Sequence, residues 1–157
     1  PSADLLLVGD APAEEEDRCG EPFVGPAGQL LDRMIAALGL SRDRVYITNV
    51  LKCRPPENRQ PQPEEVAACQ GYLEAQIDQL KPTMIVALGR TAACWFTGQE
   101  TSLANMRGQG HIWRGIPVVA TYHPAFLLGQ PQFKAECWHD LQRVIEALGL
   151  TPPGPRA

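Results

Sequence analysis

Short apolar runs alternate with longer stretches of helical periodicity along this chain. Four runs rich in β-branched residues are separated by such stretches: Leu5 to Val8, Val45 to Thr48, Met84 to Leu88 and Val118 to Thr121. Strands that alternate with helices are typical of a parallel sheet covered on both faces. The pattern predicts an α/β fold with three layers, α/β/α, around a central, mainly parallel, four-stranded sheet.

Apolar residues between these runs recur with the period of a helix. One stripe extends from Leu30 to Leu38 and stops at Gly39, a residue type that favours helix C-termini. A second extends from Val66 to Leu80 between Pro63 and Pro82, which favour a helix start and a helix end. Two further helices are predicted, a short one over Thr91 to Phe96 and a last one over Cys137 to Leu148.

The length of 157 residues fits one compact domain. We expect residues 1–150 to form that domain and residues 151–157, TPPGPRA, to form a flexible tail. No apolar run approaches the roughly 20 residues that span a bilayer, so we expect a soluble protein without a membrane partner. Five cysteines, an odd number, suit a reducing compartment and predict a cytoplasmic protein. Association with the bacterial nucleoid is a separate expectation, which the cysteines do not bear on.

Each predicted strand ends in a residue of chemical or conformational interest. The strand ends are Gly9-Asp10, Asn49, Gly89-Arg90 and Tyr122-His123. Because parallel strands present their carboxyl ends at one edge of a sheet, this edge is the predicted ligand site. The net charge of −4 gives no general support for nucleic-acid binding, so any such contact must be local.

The loop from Gly9 to Gly28 combines many acidic residues with a lone aromatic, Phe23, and several glycines and prolines. Acidic loops are commonly solvated surface. The glycines permit tight turns and the prolines stiffen them, which favours a shaped, pocket-forming loop.

Four segments in order resemble the family 4 uracil-DNA glycosylases, the iron-sulfur group of that superfamily. They are GDAPAEEEDRCGEPFVGPAGQLLDRM, VYITNVLKCRPPENRQPQPEEVAAC, IVALGRTAA and TYHPAFLL, and the similarity covers about Leu5 to Leu128. The resemblance implies a monofunctional enzyme that flips deoxyuridine out of single- or double-stranded DNA and hydrolyses its N-glycosidic bond.

The resemblance also implies roles for residues of the pocket. Phe23 would stack on the flipped base, Asn49 would bind the N3–H and O4 edge of uracil, and Ala11 would occupy a small-residue position beside it. His123 would hydrogen-bond O2 and stabilise the departing anion. The structural alternatives are a core role for Phe23, a turn-forming role for Asn49 and an ordinary core or surface role for His123.

Two acidic residues are the candidates for handling the attacking water. Glu16 matches the position that orients or polarises water, and Asp10 stands where the family usually has Glu. Ala13 replaces a usual glycine. Because a misplacement of about 1 Å can cost some hundredfold in rate, these departures predict reduced activity.

Several residues are candidates for holding DNA phosphates. Gly89 and Arg90 begin a predicted helix whose amides can bind a phosphate, and the basic loop residues Lys52, Arg54 and Arg59 would add contacts. Ordinary surface charge is the alternative reading of these residues.

Cys53 and Cys69 match two of the four cysteines that hold the family's 4Fe-4S cluster. The family's other pair is a C-x-x-C ahead of the first strand, where this sequence begins with Pro1. Two explanations stay open: an N-terminal segment is absent from this sequence and the full-length protein binds the cluster, or the cluster is lost. Cys94 and Cys137 are expected in the core.

Two rival functions remain. The same fold could serve as a catalytically weak or inactive subunit in a replication or repair complex, which would give the protein a macromolecular partner beside DNA. A nucleotide-binding α/β module would explain the glycines, but neither a GxGxxG nor a P-loop pattern is present. We expect a monomer.

Overall fold

The computed structural model describes residues 4–9, 25–40, 44–50 and 73–150. The strands are β1 (Leu5–Gly9), β2 (Val45–Asn49), β3 (Met84–Leu88), β4 (His111–Trp113) and β5 (Ile116–Thr121). The helices are α1 (Gly25–Ala37), α2 (residues 73–80), α3 (Arg90–Thr97), α4 (Leu103–Met106), α5 (Pro124–Gly129) and α6 (Lys134–Leu148), with a 3-10 turn at Pro131–Phe133 before α6.

The strands form one sheet in the order β2-β1-β3-β5-β4. Four of them are parallel, as predicted, but β4 adds a fifth, antiparallel strand at the edge. The prediction of four strands was wrong because β4 has only three residues and its turn lacks the usual Asn-Gly signal. The turn instead places Arg114 at φ 49° and Gly115 at φ 82°.

The sheet is covered on both faces, which confirms the three-layer prediction. All five residues of β1 and all five of β3 are buried. Leu5 and Leu7 pack with α1 and α6, whereas Leu6 and Val8 pack with α2 and α3. Strands that are buried on both faces have apolar residues at every position. The sequence therefore shows continuous apolar runs and no alternation of apolar and polar residues.

The helix boundaries follow the predicted signals closely. Gly39 takes φ 87°, and the amide of Leu40 donates to the Ile35 carbonyl at 3.2 Å, which closes α1 as a glycine C-cap. Of the predicted helix from Val66 to Leu80, residues 73–80 are helical and the remainder lies outside the described residues. Helices α4 and α5 were not predicted, because neither exceeds six residues.

The cysteine prediction is half right. Cys137 is buried on α6, but Cys94 on α3 is only half-buried. Residues 151–157 lie outside the described part, so the division into a domain and a tail stays a prediction. No helix in the described part has both the length and the apolar character for a membrane span.

Leu31 tests the packing of α1 on the sheet, because its side chain is 1% exposed in the core shared with α6. We expect Leu31→Ala to lower the free energy of unfolding by about 2–5 kcal/mol through lost burial and a residual cavity. Leu128→Ala is the matched control, since Leu128 is 44% exposed and its truncation should change stability by about 0.5 kcal/mol at most. Urea unfolding of both variants measures the difference. Equal losses would contradict the described packing.

Candidate functional site

Four strands deliver their carboxyl ends to one edge of the sheet. Gly9 pairs with Asn49 across β1 and β2, and Leu88 pairs with Thr121 across β3 and β5. Asn49 and the segment after Thr121 are therefore three strand spacings apart, about 14 Å at the backbone with about 4.8 Å per spacing.

Asn49 ends β2 with a buried carboxamide. The residue is 5% exposed, and its Oδ1 has no hydrogen-bond partner in the described part of the chain. A buried acceptor without a partner costs free energy, and such groups are uncommon in folded proteins. This oxygen is thus suited to accept an N–H from a ligand, while the amide nitrogen of the same group donates.

His123 is the N-cap of α5, and its ring has one defined tautomer. The backbone is extended at φ −73° and ψ 141°, and the ring Nδ1 accepts the Ala125 amide at 3.0 Å. Pro124 follows at the first helical position, which its ring favours. Because Nδ1 is an acceptor, the neutral imidazole carries its hydrogen on Nε2.

The protonation of His123 is set by its surroundings. The side chain is half-buried, and burial lowers the pKa from 6.5 to about 4. The imidazole is consequently neutral at physiological pH. It presents Nε2–H as a hydrogen-bond donor without a full positive charge.

Gly89 follows β3 and is hydrogen-bonded to the end of β5, two residues before His123. Its φ of 97° requires glycine, and its amide donates to the Thr121 carbonyl at 2.9 Å. Helix α3 begins at the next residue, so its N-terminus lies at the same edge. The exposed Arg90 is held beside it, because Nε donates to the Thr101 carbonyl at 2.9 Å.

A polar network joins the two residues before His123 to α6, and the sequence did not predict it. The network is buried at Thr121 and Asp140 and exposed at Glu136. The Thr121 hydroxyl donates to Asp140 at 2.6 Å, and Arg107 binds both oxygens of Asp140 at 2.7 and 3.1 Å. The Tyr122 hydroxyl donates to Glu136 at 2.8 Å. Asp140 occupies a position in the apolar stripe of α6, and an acid in such a stripe was the signal that could have revealed it.

Exposed apolar side chains accompany the imidazole on α5. Phe126 is 42% and Leu128 is 44% exposed, and the Phe126 ring stacks on Tyr122 with centroids 5.3 Å apart. These exposed apolar side chains therefore lie within five residues of His123 along the chain.

The remaining predicted site residues lie outside the described part of the chain. They are Asp10, Ala11, Ala13, Glu16, Phe23, Lys52, Cys53, Arg54, Arg59 and Cys69. The structure thus brings Asn49, Gly89, Arg90 and His123 to one edge and does not test the others. Within the described residues, no group of three or more His, Cys, Asp and Glu side chains could hold a metal ion.

The lowered pKa of His123 predicts an acid-sensitive contribution to stability. Because the unfolded chain binds a proton near pH 6.5 and the folded ring only near pH 4, the contribution is complete above pH 6.5. It is lost as the pH falls toward 4, by on the order of 3 kcal/mol at most. We expect His123→Gln to reduce the pH dependence of the free energy of unfolding between about pH 4 and 6.5, measured by urea unfolding. His139→Gln, at an exposed position of α6, should keep the pH dependence of the parent. Parallel curves for His123→Gln and the parent would contradict the lowered pKa.

Comparison with known proteins agrees with this geometry. The family model of the Uracil DNA glycosylase superfamily matches residues 1–142. The Type-4 uracil-DNA glycosylase of Archaeoglobus fulgidus is 45% identical over 96% of this chain and 80% of its own length. The corresponding proteins of Sulfurisphaera tokodaii and Thermotoga maritima are 44% and 49% identical, over 97% and 79% of this chain and 73% and 66% of their own lengths. The chain belongs to the uracil-DNA glycosylase superfamily, within its type-4 group.

Proposed function

We propose that this protein is a monofunctional uracil-DNA glycosylase that hydrolyses the N-glycosidic bond of deoxyuridine in DNA. The products are free uracil and an abasic site. The observation that carries the proposal is a pair of groups at the carboxyl edge. They are the buried Oδ1 of Asn49, which has no partner among the residues that the structure describes, and the neutral, Nε2-protonated ring of His123. The relatives named above carry this activity in their names.

Asn49 supplies the recognition of uracil. Its Oδ1 accepts the base N3–H, and its amide nitrogen donates to O4. Cytosine presents an unprotonated N3 and an amino group at the same edge, so both contacts become mismatched. In a buried site, leaving such groups unpaired costs their desolvation free energy, which excludes cytosine more strongly than a lost contact in water would.

His123 supplies the stabilisation of the leaving group. As the bond between C1′ and N1 breaks, its electron pair moves onto the base, and negative charge spreads to O2 and O4. The Nε2–H of His123 donates to O2, and this hydrogen bond strengthens as the charge grows. The sugar gains oxocarbenium character and takes up a water molecule at C1′. Burial disfavours the protonated ring, so the base departs as an anion.

The other pocket roles rest on the family resemblance alone. Phe23 would stack on the flipped base, Ala11 would line the uracil site, and Glu16 and Asp10 would orient the attacking water. Asp10 and Ala13 depart from the usual glutamate and glycine, and we retain the hypothesis that they slow the reaction.

DNA binding would be local, because the net charge of the chain is −4. The α3 N-terminus at Gly89 and Arg90 lies beside the end of β5 and would hold a phosphate, with Lys52 and Arg54 as further contacts. The exposed Phe126 and Leu128 would contact bases left unstacked by flipping.

A 4Fe-4S cluster is compatible with only part of the cysteine set. Cys53 and Cys69 would supply two of the four thiolates, and the cluster would tie their segments together. Cys137 does not fit a ligand role, because burial raises the pKa of its thiol. In the resembled family the other two thiolates belong to a C-x-x-C ahead of the first strand, and a form of this protein extended at its N-terminus would supply that pair. Iron and sulfide content of a form extended at its N-terminus distinguishes this proposal from loss of the cluster.

Activity of two pocket variants tests the proposed function. The parent should release uracil from single-stranded and duplex oligonucleotides that carry one uracil, seen as strand cleavage on a gel after alkali. Asn49→Ala should lose base recognition and His123→Ala should lose leaving-group stabilisation, each lowering the rate by about 10²–10³-fold. Asn105→Ala, at an exposed position of α4, is the matched asparagine control and should retain the parent rate.

The alternative function has its own outcome in the same assay. A parent that binds DNA but never releases uracil would contradict the enzyme and favour an inactive subunit of a replication or repair complex. Monomeric state and cytoplasmic location belong to the proposal as well.

A further inference from the structure

We propose that Arg107, Asp140 and Thr121, together with Tyr122 and Glu136, act as positioning residues for His123. These five residues are called the anchor ring below. The inference rests on the proposed function of His123 as the donor to uracil O2. It assigns a role to polar groups, most of them buried, that the pocket chemistry does not use.

The anchor ring is a closed circuit of contacts between three parts of the fold. Thr121 at the end of β5 donates to Asp140 on α6, and Asp140 accepts two bonds from Arg107 behind α4. Arg107 also donates to the Glu136 backbone carbonyl at 3.1 Å and lies 3.6 Å from its carboxylate. Tyr122 closes the circuit through its bond to that carboxylate at 2.8 Å.

Two members of the anchor ring, Thr121 and Tyr122, immediately precede His123 in the chain. Thr121 is the last residue of β5. Thr121 is 0% exposed and Tyr122 is 9% exposed, and both are fastened to the same helix, α6. Arg107 lies over the Tyr122 ring at 4.7 Å from the centroid, which leaves that ring little freedom. The backbone is therefore held on both sides of His123. Thr121 and Tyr122 are bonded to α6 before it, and the N-terminus of α5 follows it.

Stability alone does not explain this arrangement. Asp140 is 2% exposed and Arg107 is largely covered, so both ions lose most of their hydration. Buried ion pairs of this kind are commonly no more stabilising than apolar side chains of similar size. What the ion pair adds is directional contact, since a bidentate guanidinium fixes the carboxylate that receives the Thr121 hydroxyl.

The consequence for His123 is a single orientation and a single tautomer. The Ala125 amide reaches Nδ1 only while the backbone from Thr121 to Ala125 keeps its path. A small shift of that path would release the bond to Nδ1 and let the hydrogen exchange between the two ring nitrogens. The Nε2–H would then point at O2 for only part of the time.

One single and one double variant of the protein test the anchor ring. Thr121→Val removes the hydroxyl while keeping the shape of the side chain. The double variant Arg107→Met with Asp140→Leu replaces the buried ions by apolar side chains and should keep or raise the melting temperature. Val144→Ala is the matched control, because Val144 is fully buried one turn further along α6 and makes no polar contact to β5 through its side chain.

Two readouts separate positioning from general stability. The first is the nitrogen-15 spectrum of the imidazoles without DNA, with the His123 signals assigned by His123→Gln. The second is the single-turnover rate of uracil release at saturating DNA. Both test variants should show averaged Nδ1 and Nε2 signals for His123 and a rate about ten- to a hundredfold below the parent. Val144→Ala should lose stability but keep the tautomer and the rate.

The proposal is overturned if the double variant and Thr121→Val keep the parent spectrum and the parent rate. It is also overturned if Val144→Ala changes the spectrum as they do, since the effect would then follow stability alone. Failure of the proposed function is a separate outcome. If the parent protein releases no uracil, the proposed enzymatic function is contradicted. The nitrogen-15 spectrum then still shows whether the anchor ring holds the His123 imidazole in one tautomer.

Discussion

The hydrogen bond from the Ala125 amide to Nδ1 of His123 determines what the candidate site can do. It assigns the ring hydrogen to Nε2, and burial keeps the ring neutral by lowering its pKa to about 4. A neutral donor can stabilise an anion that forms during bond cleavage without first paying for a buried charge. The cap of α5, the path of β5 and the contacts to α6 all serve to keep this one bond in place.

The proposed function further requires that Asn49 and His123 face one cavity. The strand order β2-β1-β3-β5 brings the two residues to one edge of the sheet, with two strands between them. The buried Asn49 Oδ1 has no hydrogen-bond partner among the described residues, and a buried acceptor without a partner costs free energy. Under the proposed function the N3–H of uracil would supply that partner, whereas cytosine carries no hydrogen at N3.

The sequence predicted the layers and the strand ends because both-face burial leaves continuous apolar runs, and Gly39 marked the end of α1. The sequence did not predict β4. The turn before β5 is normally recognised by Asn or Gly, but here Arg114 adopts the left-handed conformation that those residues favour. The sequence also missed Asp140 and Arg107, which are 33 residues apart and meet only through tertiary packing. The roles of Asn49 and His123 are predictions from the resemblance, whereas the tautomer and pKa of His123 required the three-dimensional surroundings.

The most direct measurement is an NMR titration of nitrogen-15-labelled protein with free uracil, with cytosine as the matched ligand. The account predicts that uracil shifts the Asn49 carboxamide and the His123 Nε2–H signals together, with one saturation curve, and that cytosine shifts neither. Uracil binding that leaves both signals in place, or equal shifts with cytosine, would contradict it.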